Sequence, residues 1–248
     1  MRIQFLGTAG SSVTALRGNA SILIDDDLLI DVGEGTTQKL LQLKTFKTIR
    51  TIFISHLHVD HFLGIFTFFW KKWLTNDRNP ITVYGPPKTQ ATIDTIFELT
   101  STPIDAFKFE IHYNALDPKD TILKLENIST TRVNHPIYTL AYRIDRDKSI
   151  CYSSDTAPLD RMITLAGGCD VLIHDCSLPS SMAELAHQYY HSTPQDAAEI
   201  SKKAGVKKLV VFHILGEMSD KMEQYKLDAE NYFDGEVILA QDMKEIEI

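Results

Sequence analysis

Cysteine is scarce in this 248-residue chain: Cys151, Cys169 and Cys176 are the only three, and no two form a CxxC pair. An odd, scattered set excludes a disulfide-stapled fold and a thiolate metal knuckle. It fits buried thiols in a reducing compartment, so a cytoplasmic location is expected. Long apolar runs are also absent. The densest, Phe62–Trp70, is closed by Lys71 and Lys72 and falls far short of the roughly 18 residues a membrane span needs. No membrane partner is expected. Basic charge is in deficit, 25 Lys and Arg against 33 Asp and Glu, which argues against a broad basic face for nucleic acid or bilayer. An anionic substrate stays open, because bound divalent cations reverse the charge locally. No repeat, low-complexity tract or linker interrupts the chain, so one domain over residues 1–248 is expected. The amino terminus lacks the apolar centre of a signal peptide and is read as the mature start.

What is present is a regular alternation of strands and helices. Short apolar runs ("RIQFLG", "SILIDD", "LLIDVG", "TIRTIFIS", "ITVYGPP") alternate with helical segments, among them "TTQKLLQLK", "FLGIFTFFWKKWL" and "KTQATIDTIFELT". From Phe107 to Cys151 the pattern is strand-rich. After Asp155 it runs helix, strand, helix, helix, strand, then a last helix and a closing strand, "EVILAQD". In "STPQDAAEISKKAG", Thr193 suits a helix N-cap, Pro194 the first helical position and Gly205 the stop. Strand blocks followed by helices in both halves predict an α/β architecture of two sheets between outer helices. The aromatic helix from Phe62 to Trp73 carries too many rings for one buried face, so some are expected at the site's rim or a homodimer interface.

The densest chemistry lies in "SHLHVDHFLG", where His56, His58, Asp60 and His61 fall within six residues of a chain with nine histidines. On an extended strand end, His56 and His58 project to one face, and the following turn brings back Asp60 and His61. Imidazole and carboxylate together suit zinc, with manganese or iron as alternatives. His135 in "VNHP", Asp155 in "YSSDT" and His213 in "VVFHI" each follow an apolar strand-like run, where loops gather at one sheet edge. Seven donors so placed can form two three-residue sets with a shared carboxylate, the stoichiometry of a two-metal hydrolytic centre. His112, His174 and His187 lack such company and are read as structural.

HxHxDH followed by a distant His, Asp and His resembles the metallo-β-lactamase superfamily. The resemblance implies its four-layer αββα sandwich, with His56, His58 and His135 on one metal, Asp60, His61 and His213 on the second, and Asp155 bridging. The opening "FLGTAGSS" and "LLIDVGEGTTQKL" are similar to the ribonuclease Z branch, which processes tRNA 3′ ends. In this loop Asp31 could orient a ligand histidine. That branch also carries His-Glu-Ala-Thr and His-Ser-Thr motifs. Here the first becomes His174-Asp175-Cys176-Ser177 and the second is intact as His191-Ser192-Thr193. The implied catalytic residues are Asp60, His191 as the acid at the leaving oxygen, and Asp175 orienting His191. The long glycine- and proline-rich arm with which that branch grips the tRNA elbow is missing between "TLAYRID" and "SICYSSD". The expectation is therefore a phosphodiesterase that uses a metal-bridging hydroxide on a small, cyclic or RNA-like phosphodiester, with tRNA not expected. The rival readings are a lactone, ester or thioester hydrolase on the same metals, or a catalytically silent metal-binding module.

Overall fold

The computed structural model describes all 248 residues as two seven-stranded sheets packed face to face between helices. The first sheet holds β1 (Arg2–Gly7), β2 (Ser21–Ile24), β3 (Leu28–Ile30), β4 (Thr51–Phe53), β5 (Ile81–Gly85) and β6 (Ile111–Ala115). The second holds β7 (Leu123–Leu125), β8 (Ile128–Arg132), β9 (Leu140–Asp145), β10 (Ser149–Tyr152), β11 (Val171–Asp175), β12 (Lys208–Phe212) and β13 (Glu236–Leu239). A final strand, β14 (Glu245–Glu247), returns to pair antiparallel with β1, giving the orders 14-1-2-3-4-5-6 and 13-12-11-10-9-8-7. The helices are α1 (Thr36–Leu43), α2 (Val59–Phe62), α3 (Gly64–Leu74), α4 (Thr89–Leu99), α5 (Asp160–Ala166), α6 (Ala183–Gln188), α7 (Pro194–Ala204) and α8 (Met222–Glu230).

Three apolar layers account for this arrangement. In β3, Leu28 and Ile30 face the inter-sheet core with Tyr142, Tyr152, Ile173 and Phe212 from the second sheet. Leu29 between them faces outward onto Phe62, Phe68 and Phe69. Likewise Val171 and Ile173 of β11 point between the sheets, while Leu172 meets Ala197, Ala198 and Tyr225 of the outer helices. Strands buried on both faces read as unbroken apolar runs, and the helices must cover the outer faces to bury them. The result is the expected αββα sandwich.

Within each sheet β3–β4–β5–β6 and β10–β11–β12–β13 run parallel, so their carboxyl ends collect at one edge. Parallel sheets place ligand sites beyond those ends. Two glycines allow the close approach required there. A Cβ on Gly64, at the start of α3, would lie 2.0 Å from the carbonyl oxygen of Gly33, and one on Gly33 would lie 2.7 Å from the carbonyl oxygen of Asp60. The helix of "STPQDAAEISKKAG" has the predicted punctuation: Thr193 and Asp196 form a capping box, and Gly205 stops it in a left-handed conformation.

Two local expectations are corrected. The closing strand is β14 rather than "EVILAQD", because Ile246 and Ile248 pack at the rim of the inter-sheet core. The strand before the histidines stops at Phe53, so His56 and His58 lie on irregular backbone and Asp60 and His61 open α2. The chain leaves the ladder because Ser55 N–H donates to the Asp31 side chain and Ser55 C=O accepts from Leu140 N–H. Of the aromatic helix, Phe62, Phe68 and Phe69 are buried, whereas Trp70 is 44% exposed and packs on Trp73. No helix is long and apolar enough to cross a membrane.

Candidate metal centre

All seven predicted donors converge at the carboxyl edge. His56, His58, His135 and Asp155 present ligand atoms within 4.8 Å of one another, as do Asp60, His61, Asp155 and His213. In the first set His58 Nδ1 lies 3.1 Å from His56 Nε2 and 3.2 Å from His135 Nε2. In the second, His61 Nε2 lies 3.1 Å from His213 Nε2, and each is 3.4 Å from Asp60 Oδ2. Asp155 faces both, with Oδ1 3.3 Å from His61 Nε2 and Oδ2 3.8 Å from His56 Nε2.

These spacings are those of metal ligands. Donors about 2.05 Å from a tetrahedral zinc are separated by about 3.3 Å. Ring nitrogens facing each other at that range need a cation or a proton between them. The carboxylates give the same indication, since Asp60 Oδ2 and Asp155 Oδ1 are buried and lack hydrogen bonds. A buried unpaired carboxylate oxygen is costly unless a cation meets it. The donor set fits divalent metal.

Electrostatics divide the centre. Burial lowers the pKa of His56 well below its ordinary value, with neighbouring histidines adding to the effect. His213 is buried too, but Asp155, Asp60 and Asp175 outweigh that and push it up to about 10. His61 moves the same way, because Asp155 and Asp31 more than offset burial. Asp60 and Asp155 are held far below the usual carboxylate range; burial opposes this and the facing histidines prevail. The acidic groups thus favour positive charge at His61 and His213.

Outer contacts orient the rings. Asp31 Oδ2 accepts from His61 Nδ1 at 2.7 Å, from Ser55 Oγ–H at 2.8 Å and from Tyr152 O–H at 3.0 Å. His135 Nδ1 donates to the Tyr190 carbonyl at 3.3 Å, and His56 Nδ1 meets Ser55 Oγ at 3.0 Å. Asp31, Ser154, Tyr190 and His213, four of the twelve non-glycine residues with positive φ, lie here. His191 stands beside the donors, its ring centroid 5.4 Å from His135 and 5.6 Å from His213. Its Nδ1 meets Asp175 Oδ2 at 2.8 Å, leaving Nε2 free, and that carboxylate raises its pKa against the effect of burial.

The histidines read as structural stay apart: His112 pairs with Glu110, His187 with Asp196, and His174 is buried with Nδ1 toward the Asp175 carbonyl. Sequence reasoning missed Ser55, Tyr152, Ser177 and the Tyr190 carbonyl. Two of these had a local signal: Ser55 directly precedes His56 in "SHLHVDH", and Ser177 lies two residues after Asp175 in "HDCS".

Comparison with known proteins agrees. The family profile described as "Beta-lactamase superfamily domain" matches residues 27–214. The ribonuclease Z of Methanosarcina acetivorans is 30% identical over all of this chain and 98% of its own length, and that of Methanosarcina mazei 29% over the same shares. The crystal structure of human tRNase Z, short form, superposes with a TM-score of 0.84 at 27% identity, covering 100% of this chain and 99% of that one. The metallo-β-lactamase fold protein YhfI from Bacillus subtilis gives 0.82 at 22% identity, over 100% and 99%. Fold and donor cluster define a metal-dependent hydrolase of the metallo-β-lactamase type. Within that superfamily, the chain belongs to the ribonuclease Z family.

Proposed function

We propose that this protein is a dinuclear phosphodiesterase that cleaves a short or flexible RNA-like phosphodiester. The observation that carries the reading is the pair of donor sets sharing Asp155, with His191 standing over them. His56, His58 and His135 would hold one ion, Asp60, His61 and His213 the other, and Asp155 both. When bound, the two ions supply Lewis acidity at the phosphoryl oxygens and acidify a water for in-line attack. Zinc suits this mixed nitrogen and oxygen set, as manganese or iron would. Asp175 holds His191 Nδ1, so Nε2 is the atom that delivers a proton to the departing oxygen. Asp60 serves as ligand and keeps His61 and His213 in register.

The relatives' names speak of ribonuclease and tRNase, which favours RNA and stands in tension with the expectation against tRNA. Two observations favour a substrate gripped less extensively. The β9–β10 turn is only Arg146 to Lys148, closed by Arg146 N–H to Lys148 C=O and fastened to Asp25 and Asp27. The alignment with the Methanosarcina acetivorans protein runs over 304 positions against 248 residues here, so that relative carries segments this chain lacks.

The test is an activity panel run with metal analysis: bis-nitrophenyl phosphate, cyclic nucleotides, a short RNA, precursor tRNA, a lactone and a thioester. Two metals per chain and preferred cleavage of the short RNA or small diesters support the reading. Preference for precursor tRNA would overturn its substrate, preference for the lactone or thioester its chemistry, and metal without turnover on any member its enzymatic role. His191→Ala should keep both metals and lose about 10²-fold or more in rate, most on poor leaving groups.

A further inference from the structure

Asp175 ends β11 fully buried, and its two oxygens serve different partners. Oδ2 accepts from His191 Nδ1 at 2.8 Å and from the backbone N–H groups of Thr156 and Ser192. Oδ1 lies 3.6 Å from His213 Nδ1, beyond hydrogen-bond range. Ser177 Oγ occupies the gap, 2.7 Å from Asp175 Oδ1, 3.1 Å from His213 Nδ1 and 3.0 Å from His191 Nδ1.

A hydroxyl has one proton and two acceptor lone pairs. The shortest contact takes the proton to Asp175 Oδ1, which leaves Oγ to accept from His213 Nδ1–H. An ion held by the Asp60 set would then meet the lone pair of His213 Nε2. His191 Nδ1–H donates to Asp175 Oδ2, with Ser177 Oγ as a second acceptor. The serine cannot drift: its N–H donates to Ser192 C=O, and its C=O accepts from Leu215 N–H and Tyr225 O–H. Only 1% of the residue is exposed, so water does not compete.

We propose that Ser177 is a positioning residue whose hydroxyl extends the Asp175 carboxylate to His213, tying the last metal ligand and the proton donor to one buried anchor. This deepens the dinuclear reading and rests on it. Loosening the hydroxyl should disturb metal binding and proton delivery together.

The test compares wild type, Ser177→Ala, His191→Ala and the double variant by zinc titration of the metal-free full chain and by turnover of diesters with good and poor leaving groups. In Ser177→Ala, affinity for one of two zinc equivalents should fall about 10- to 100-fold. At saturating zinc its rate on the poor leaving group should fall more than on the good one. His191→Ala should retain wild-type zinc affinity. In the double variant the rate should be no lower than in His191→Ala, while the weakened zinc site persists, which marks one coupled unit. Wild-type zinc affinity in Ser177→Ala, or rate losses that multiply in full, would overturn the proposal. If Ser177→Ala does not fold, Ser177→Cys keeps the volume with a much weaker hydrogen-bonding group and is read by the same criteria. A wild-type chain that binds fewer than two zinc ions would instead defeat the dinuclear reading.

Discussion

The two halves of the candidate centre contain similar ligands but are built differently. In the first set His56 reaches Asp31 only through the Ser55 hydroxyl, His135 is backed by the neutral Tyr190 carbonyl, and His58 is half-exposed. Asp60, His61 and His213 are all buried; Asp31 contacts His61 directly, and Asp175 reaches His213 through Ser177. A carboxylate behind an imidazole fixes its orientation and makes it a stronger donor. The deep half should therefore hold its ion tightly, and the open half should exchange its ion and receive substrate.

The substitution with the largest expected effect removes the distinction. Asp155→Ala takes the shared carboxylate from both halves, so metal content should fall on both sides and turnover by about 10³-fold or more. Two ions retained at wild-type affinity would refute the shared ligand. Asp31→Ala should strike the deep half and the fold together. It leaves His61 Nδ1, Ser55 Oγ and Tyr152 O–H without their buried acceptor, at a cost of about 3–5 kcal/mol in denaturant unfolding of the metal-free chain. A loss below about 1 kcal/mol would show that this network is slack. His58→Ala should empty only the open half, and metal analysis should find one ion retained; loss of both would mean the halves are not separable. On the unaltered protein, chelator should remove zinc in two phases, and His58→Ala should delete the faster one. The smallest effect belongs to Tyr190→Gly. Tyr190 meets His135 through its carbonyl, and its φ of +61° suits glycine, so metal affinity should stay within about twofold. A larger loss would assign the tyrosine ring a part in the open half.

Much of this is legible in the sequence alone. The "HLHVDH" run, the strand-end positions of His135, Asp155 and His213, the alternation of elements and the caps at Thr193 and Gly205 are local patterns, and local patterns survive in one dimension. The return of β14 to β1 was not legible, because Glu245–Glu247 is too short and polar to declare itself without its partner. Nor was the anchoring of His61, since Tyr152 reaches Asp31 from the opposite sheet across 121 positions.

The sequence by itself determined which side chains are available: seven nitrogen and oxygen donors, the histidine of an intact His-Ser-Thr motif, and apolar strands to bury them. Tertiary structure decided how that chemistry is divided. Folding the two sheets together set Asp155 between the donor sets, placed a carboxylate directly behind an imidazole in only one of them, and left Ser177 to bridge 3.6 Å that Asp175 cannot span. Hydrogen bonds depend on tenths of an ångström, and residues far apart in the chain are brought to such distances only by packing.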